Sequence, residues 1–113
     1  MLTMEIQVTT TPARRSELLS VARMILGPLS AQPGCVSCDC FVGIDDGPLL
    51  LSSEWQTESA LRAYVASEGF RMSLQWMELS AETPEVRVLS LLHPNAMSVI
   101  SSIRAACDMD SES

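Results

Sequence analysis

The stretch from Cys35 to Trp55 limits most what this chain can fold into. Val36, Cys38, Cys40, Val42 and Ile44 fall on one face of an extended segment, and Cys35, Ser37, Asp39, Phe41 and Gly43 on the other. Asp45-Asp46-Gly47-Pro48 then interrupts, and a second extended run follows from Leu49 to Trp55. Two strand-like runs joined by so short a break read as an antiparallel hairpin. A hairpin in the middle of the chain makes the flanking segments decide the fold.

Upstream, Leu2, Met4, Ile6 and Val8 alternate with Thr3, Glu5, Gln7 and Thr9. That period of two predicts a strand with one apolar face. Thr11-Pro12 offers an N-cap and a first-turn proline. Leu18, Val21, Ala22, Ile25 and Leu29 then form a stripe at helical spacing. Gly27-Pro28 weakens its last turn, and Gln32-Pro33-Gly34 ends it. Downstream, Thr57 is an N-cap with Glu58 in the first turn. Leu61, Tyr64 and Val65 share a face, Gly69 interrupts, and Phe70, Leu74 and Met77 continue the stripe. After Thr83-Pro84, residues 85–92 alternate again.

The predicted order is strand, helix, strand, strand, helix, strand, the split βαβ arrangement of a ferredoxin-like α+β domain. Its helices cover one sheet face. The other carries Glu5, Gln7, Ser37, Asp39, Phe41, Arg87, Leu89 and Leu91. A face bearing Phe and Leu is not expected to stand bare in water, so two copies are expected to pack face to face around a partly wet interface. Residues 1–92 are expected to form this domain and residues 93–113 a separate tail. There Val99, Ile100, Ile103, Ala106 and Cys107 mark a C-terminal amphipathic helix, followed by acidic residues. So short a helix is marginal alone and is expected to dock on the sheet edge or a partner subunit.

The chain has 113 residues, 47% of them hydrophobic, enough for one small core. The formal charge is −7, and every basic residue is Arg. An acidic chain without a basic run argues against nucleic acid and anionic membrane as partners. No signal peptide is visible, and no window approaches the roughly 20 apolar residues that span a bilayer. A cytoplasmic location with free thiols is therefore expected.

The run Pro33-Gly34-Cys35, the strand ending Glu54-Trp55, the helix start Glu58-Ser59-Ala60-Leu61 and the later Ser67-Glu68-Gly69-Phe70 resemble the antibiotic biosynthesis monooxygenase family in order and spacing. The resemblance covers roughly residues 1–92. It implies a dimeric α+β barrel with a cavity between helices and sheet, near the Trp. It also implies cofactor-independent oxygenation of quinol-like aromatics, with a haem-degrading branch as a second possibility. Many relatives carry a His nine positions after the Trp, and that His ligates iron in the haem-degrading branch. Here the position is Tyr64, and the chain's one His is His93. A phenol of pKa about 10 is a poor iron ligand until it loses its proton, so haem is disfavoured and no cofactor is expected.

On this reading Trp55 stacks a small aromatic substrate, with Gln7, Asp39, Phe41 and Phe70 as further substrate-binding candidates. Tyr64 and Arg87 are the catalytic candidates, for a proton and for a developing oxyanion. Each has a plainer alternative. Trp55 serves equally as a core residue and Tyr64 as an interface residue. Arg87 serves as half of an ion pair with Asp39 or Glu5. Cys35, Cys38 and Cys40 spell C-x-x-C-x-C, but an unbroken strand points Cys35 away from the other two, so small buried hydrophobes are expected rather than a metal site. His93 reads as a strand-end residue. A dimer that binds a hydrophobic ligand or haem without catalysis, and a dimer whose cavity is filled by side chains, remain the other two readings.

Overall fold

The computed structural model describes residues 1–90. Strand β1 (Leu2–Val8) leads through a 3-10 turn (Pro12–Arg14) into helix α1 (Arg15–Ser30). Strands β2 (Cys35–Val42) and β3 (Leu49–Trp55) form the hairpin. Helix α2 (Glu58–Val65), a 3-10 turn (Glu68–Phe70) and helix α3 (Arg71–Glu78) precede strand β4 (Glu85–Ser90). The sheet order is β2-β3-β1-β4, antiparallel throughout. This is the ferredoxin-like α+β fold the pattern predicts. The expected C-terminal helix and the boundary at residues 92 and 93 lie outside the described residues.

The hairpin turn uses the mirror-image geometry that matches strand twist. Asp45 and Asp46 both adopt positive φ, at 53° and 60°, and the Gly47 amide donates to the Ile44 carbonyl at 3.0 Å. Asp tolerates this region better than most side chains. Arg15, the first residue of α1, clasps the loop by donating to the carbonyls of Gly47 (2.7 Å) and Gly43 (2.8 Å).

Two local details depart from the sequence reading. Thr11 makes no side-chain cap; Pro12 opens a 3-10 turn and α1 begins at Arg15. The second helical region is two helices, and the break falls at extended Ser67 rather than at Gly69. As expected, Gly27-Pro28 lies in the last turn of α1, which ends at Ser30, whose hydroxyl donates to the Gly27 carbonyl at 2.7 Å. Thr57 does cap α2, accepting from the Ala60 amide at 3.1 Å, and Glu58 pairs with Arg62 one turn on at 2.7 Å.

The core lies between the sheet and the helices. Met4, Ile6, Val8, Leu49, Leu51 and Val88 meet Leu18, Ala22, Ile25 and Leu29 of α1 and Leu61, Val65 and Trp76 of α2 and α3. Trp76 has no place in the expected stripe, yet it is fully buried and its indole donates to the Leu18 carbonyl at 2.9 Å, tying α3 to α1. Leu74, expected in the stripe, is half-buried, while Ser73 takes a buried position.

Gly34 explains why the Pro-Gly-Cys run and the α2 start belong together. Its φ is +83°, and a Cβ there would collide with the Cβ of Ala60. Its carbonyl accepts from the Gln56 amide at 2.9 Å. The entry to β2 thus rests directly on the first turn of α2, which only glycine permits.

Candidate active site

β3 delivers Trp55 to the helix side. Its ladder partners are Leu2 and Cys35, and its side chain is fully buried. α2 places Tyr64 against it, with ring centroids 5.0 Å apart and planes inclined by 24°, a stacked pair. The 3-10 turn after α2 brings Phe70 edge-on to Tyr64, with centroids 5.3 Å apart at 87°. Three of the sequence-predicted residues therefore form one aromatic cluster.

Hydroxyls and thiols line this cluster. The Trp55 indole donates to Ser53 Oγ at 2.9 Å. The Tyr64 hydroxyl shares a hydrogen bond with Ser73 Oγ at 3.1 Å. Ser53 and Ser73 are both buried. Neither stood out in the sequence, although Ser53 shares a strand face with Trp55 at a spacing of two, the signal that could have found it.

β2 adds the thiols, and here the sequence expectation is corrected. The ladder pairs Cys35 with Trp55, then Ser37 with Glu54 and Cys38 with Ser53, so a β-bulge absorbs Val36. The extra residue reverses the alternation. Cys35 therefore faces the helices alongside Cys38 and Cys40, not the opposite side. The Cys35 thiol donates to the Ser37 carbonyl and the Cys38 thiol to the Leu26 carbonyl, and the two thiols are close enough to influence each other's titration.

Burial pushes the Tyr64 phenol above its ordinary value of 10.0; the Ser73 hydrogen bond opposes this, and negative charge on Cys35 or Cys38 would add to it. Burial likewise raises all three described thiols, with charge on Cys38 adding at Cys35, Asp39 adding at Cys38, and Arg23 opposing at Cys40. At neutral pH this seam is uncharged, built of donors that can also accept.

The remaining candidates lie on the opposite sheet face. The ladders align Phe41, Leu50, Gln7 and Glu85 in one row across it, and Asp39, Ser52, Glu5 and Arg87 in the next. Arg87 is exposed; its guanidinium donates to Gln7 Oε1 at 3.3 Å and pairs with Glu85 at 3.7 Å. That replaces the expected pairing with Asp39 or Glu5. Asp39 stands three strand spacings away, about 14 Å, beyond side-chain pairing within one chain. The sheet thus separates Tyr64 from Arg87. Among the described residues, no group of three or more His, Cys, Asp or Glu is placed to hold a metal ion. No described helix is long and apolar enough to cross a membrane.

Several solved structures share this architecture. Rv0793 from Mycobacterium tuberculosis is 25% identical over 83% of this chain and 97% of its own, with a TM-score of 0.72. SnoaB, a cofactor-independent oxygenase from Streptomyces nogalater, is 23% identical over 83% and 95%, with a TM-score of 0.69. PA3566 from Pseudomonas aeruginosa is 22% identical over 81% and 94%, with a TM-score of 0.68. None of the curated proteins compared with the chain matches it. The sequence profile of the antibiotic biosynthesis monooxygenase family matches residues 1–76, a span from β1 into α3 that holds the Gly34–Ala60 contact and the whole aromatic cluster. The chain belongs to the antibiotic biosynthesis monooxygenase family.

Proposed function

We propose that this chain is a monooxygenase that acts without metal or flavin on a small electron-rich hydroxyaromatic, with Tyr64 at its centre. One observation carries the reading: the Tyr64 hydroxyl stands in a buried seam, backed by Trp55 and held by Ser73. The substrate itself supplies the electrons. In its keto tautomer one ring carbon bears two hydrogens; loss of one as a proton gives the anion, which gives electrons to dioxygen, and that carbon becomes a carbonyl while the second oxygen atom leaves as water with those two hydrogens. The raised pKa keeps Tyr64 protonated, so its role is to donate a hydrogen bond to the substrate oxyanion rather than to act as the base. The same shift opposes a phenolate ligand to iron, which weighs against haem.

The similarity to a cofactor-independent oxygenase supports the fold of such an enzyme, and family membership supports the activity class. Family members commonly pair into dimers, and exposed Phe41 and Leu89 on the open sheet face suit a second copy. Gln7, Asp39 and Arg87 then belong to that contact rather than to the Tyr64 site. A cytoplasmic location, and residues 93–113 as a docking tail, complete the proposal.

The depth of the cluster favours a second reading. Trp55 and Phe70 are 0% exposed and Tyr64 3%, which also suits a filled core or a ligand-binding dimer without catalysis. Oxygen uptake separates the two. A panel of hydroquinones and hydroxyanthrones is offered to the protein and to Tyr64→Phe. The proposal requires uptake above the uncatalysed rate by the parent and its loss in the variant. Binding without uptake by either protein would support the second reading.

A further inference from the structure

The bulge in β2 creates a second chemical feature that oxygenation does not use. Cys35 and Cys38 are three positions apart, and an unbroken strand would aim them at opposite faces. The bulge turns both towards the helices, where each thiol is within electrostatic reach of the other. Their ladder partners, Trp55 and Ser53, are two positions apart on β3. At about 3.4 Å per residue that separation is about 6.8 Å. Disulfides span Cα separations of about 4.4–6.8 Å, so the pair stands at the upper limit of that range.

Cys38 and Cys40 share the face too, and their ladder partners Ser53 and Leu51 are also two positions apart, but regular pleating between them holds their side chains parallel. Cys40 responds to burial and to Arg23, with no contribution from a neighbouring thiol. Both members of the pair are half-buried. The Cys35 thiol points to the Ser37 carbonyl at 3.6 Å. The Cys38 thiol points to the Leu26 carbonyl of α1 at 3.4 Å.

We propose that Cys35 and Cys38 are a reversible dithiol–disulfide pair, a redox modification site set into the β2 bulge beside Tyr64. The oxidant is a low-molecular-weight disulfide. The Cys35 thiolate attacks one of its sulfurs, forming a mixed disulfide and expelling one small thiolate. The Cys38 sulfur then attacks the Cys35 sulfur, closing the protein disulfide and expelling the second small thiolate. The two protons from the cysteines pass to the two released thiolates, so the protein loses two electrons and the small disulfide gains them. The raised thiol pKa values make the first attack slow at neutral pH and faster as pH rises. The proposal does not depend on turnover.

The test uses the full chain equilibrated in mixtures of reduced and oxidised glutathione, then quenched with acid, alkylated with a maleimide and digested with trypsin. One peptide, residues 24–62, carries all three described cysteines. In the reduced mixture it should take a label on each. In the oxidised mixture it should keep only the label on Cys40, and a reductant should restore the others. In Cys35→Ser or Cys38→Ser the oxidised mixture should leave no intrachain disulfide. Repeating the titration in urea tests whether the fold sets the geometry: half-oxidation should require at least about tenfold more oxidised glutathione once the bulge is lost. Full labelling in the oxidised mixture, a stable glutathione adduct, a Cys38–Cys40 bond, or the same midpoint in urea would each overturn the proposal.

Discussion

The two faces of the sheet are built from the same strands and do different things. The helix face holds Trp55 and Phe70 in ring contact with Tyr64, beside two buried serines, and carries three thiols. The open face holds Gln7, Asp39, Phe41 and Arg87 in half-buried or exposed positions, joined only by weak polar contacts. Alternation along a strand produces both, and a single inserted residue moves a side chain from one to the other. Cys35 is the case in point. The comparison teaches that residues which look like one site in the sequence are divided by the sheet, Trp55, Tyr64 and Phe70 on one side and Gln7, Asp39, Phe41 and Arg87 on the other.

The sharpest way to break the comparison is to truncate one large side chain on each face. Trp55→Ala removes a fully buried indole and should cost about 3–5 kcal/mol in urea unfolding. Phe41→Ala, at 55% exposure, should change the stability of the isolated chain by no more than about 0.5 kcal/mol. Equal costs would mean that the open face is buried in a stable assembly even under those conditions.

Gly34→Ala should be the next most damaging change, at about 2 kcal/mol or more, because it combines a positive φ with the collision against Ala60. A smaller companion change at Ala60, Ala60→Gly, should recover part of that loss in the same unfolding assay.

Tyr64→Phe should cost about 1 kcal/mol, since it leaves the buried Ser73 hydroxyl without its partner. The variant should also behave differently in alkali. A phenol whose folded pKa is raised contributes stability that is fully present below its unfolded value of 10.0 and is lost as pH rises through the higher folded value. Melting temperature followed upward from pH 10 should therefore fall less steeply in Tyr64→Phe than in the parent.

The smallest stability effect is expected at Arg87. Arg87→Gln breaks only exposed contacts and should shift stability by less than about 0.5 kcal/mol. Paired with Leu89→Ser, it should instead show in sedimentation, as a dimer that dissociates at higher protein concentration. Unchanged sedimentation of the double variant would remove the open face from assembly.

The fold was readable because its signals are periodic and redundant. Alternation in β1 and β4, the Asp-Asp-Gly-Pro break and the Thr57 cap each pointed to the same topology. The aromatic cluster is readable in part, since Trp55 and Phe70 stand in the family's order, with Tyr64 where many relatives carry His. What escaped was anything that depends on parity or on a polar residue inside an apolar stripe. Val36 looks like any strand valine, so the bulge it forms leaves no mark in the sequence, and simple alternation puts Cys35 on the wrong face. Ser53, Ser73 and Trp76 do not stand out because hydropathy ranks serine as surface, and because the apparent α3 stripe runs through Leu74. Arg87 and Asp39 appeared compatible because face membership was legible and lateral distance was not: strand order separates them by the width of the sheet.

The proposed reaction takes place on the helix face. Its most direct test is the initial rate of oxygen uptake by Tyr64→Phe and Arg87→Gln, side by side, on the best hydroxyaromatic substrate of the parent. Chemistry on that face requires a loss of about 100-fold or more for Tyr64→Phe and a rate within about threefold of the parent for Arg87→Gln. A crippled Arg87→Gln beside an active Tyr64→Phe would contradict it and move the site to the open face.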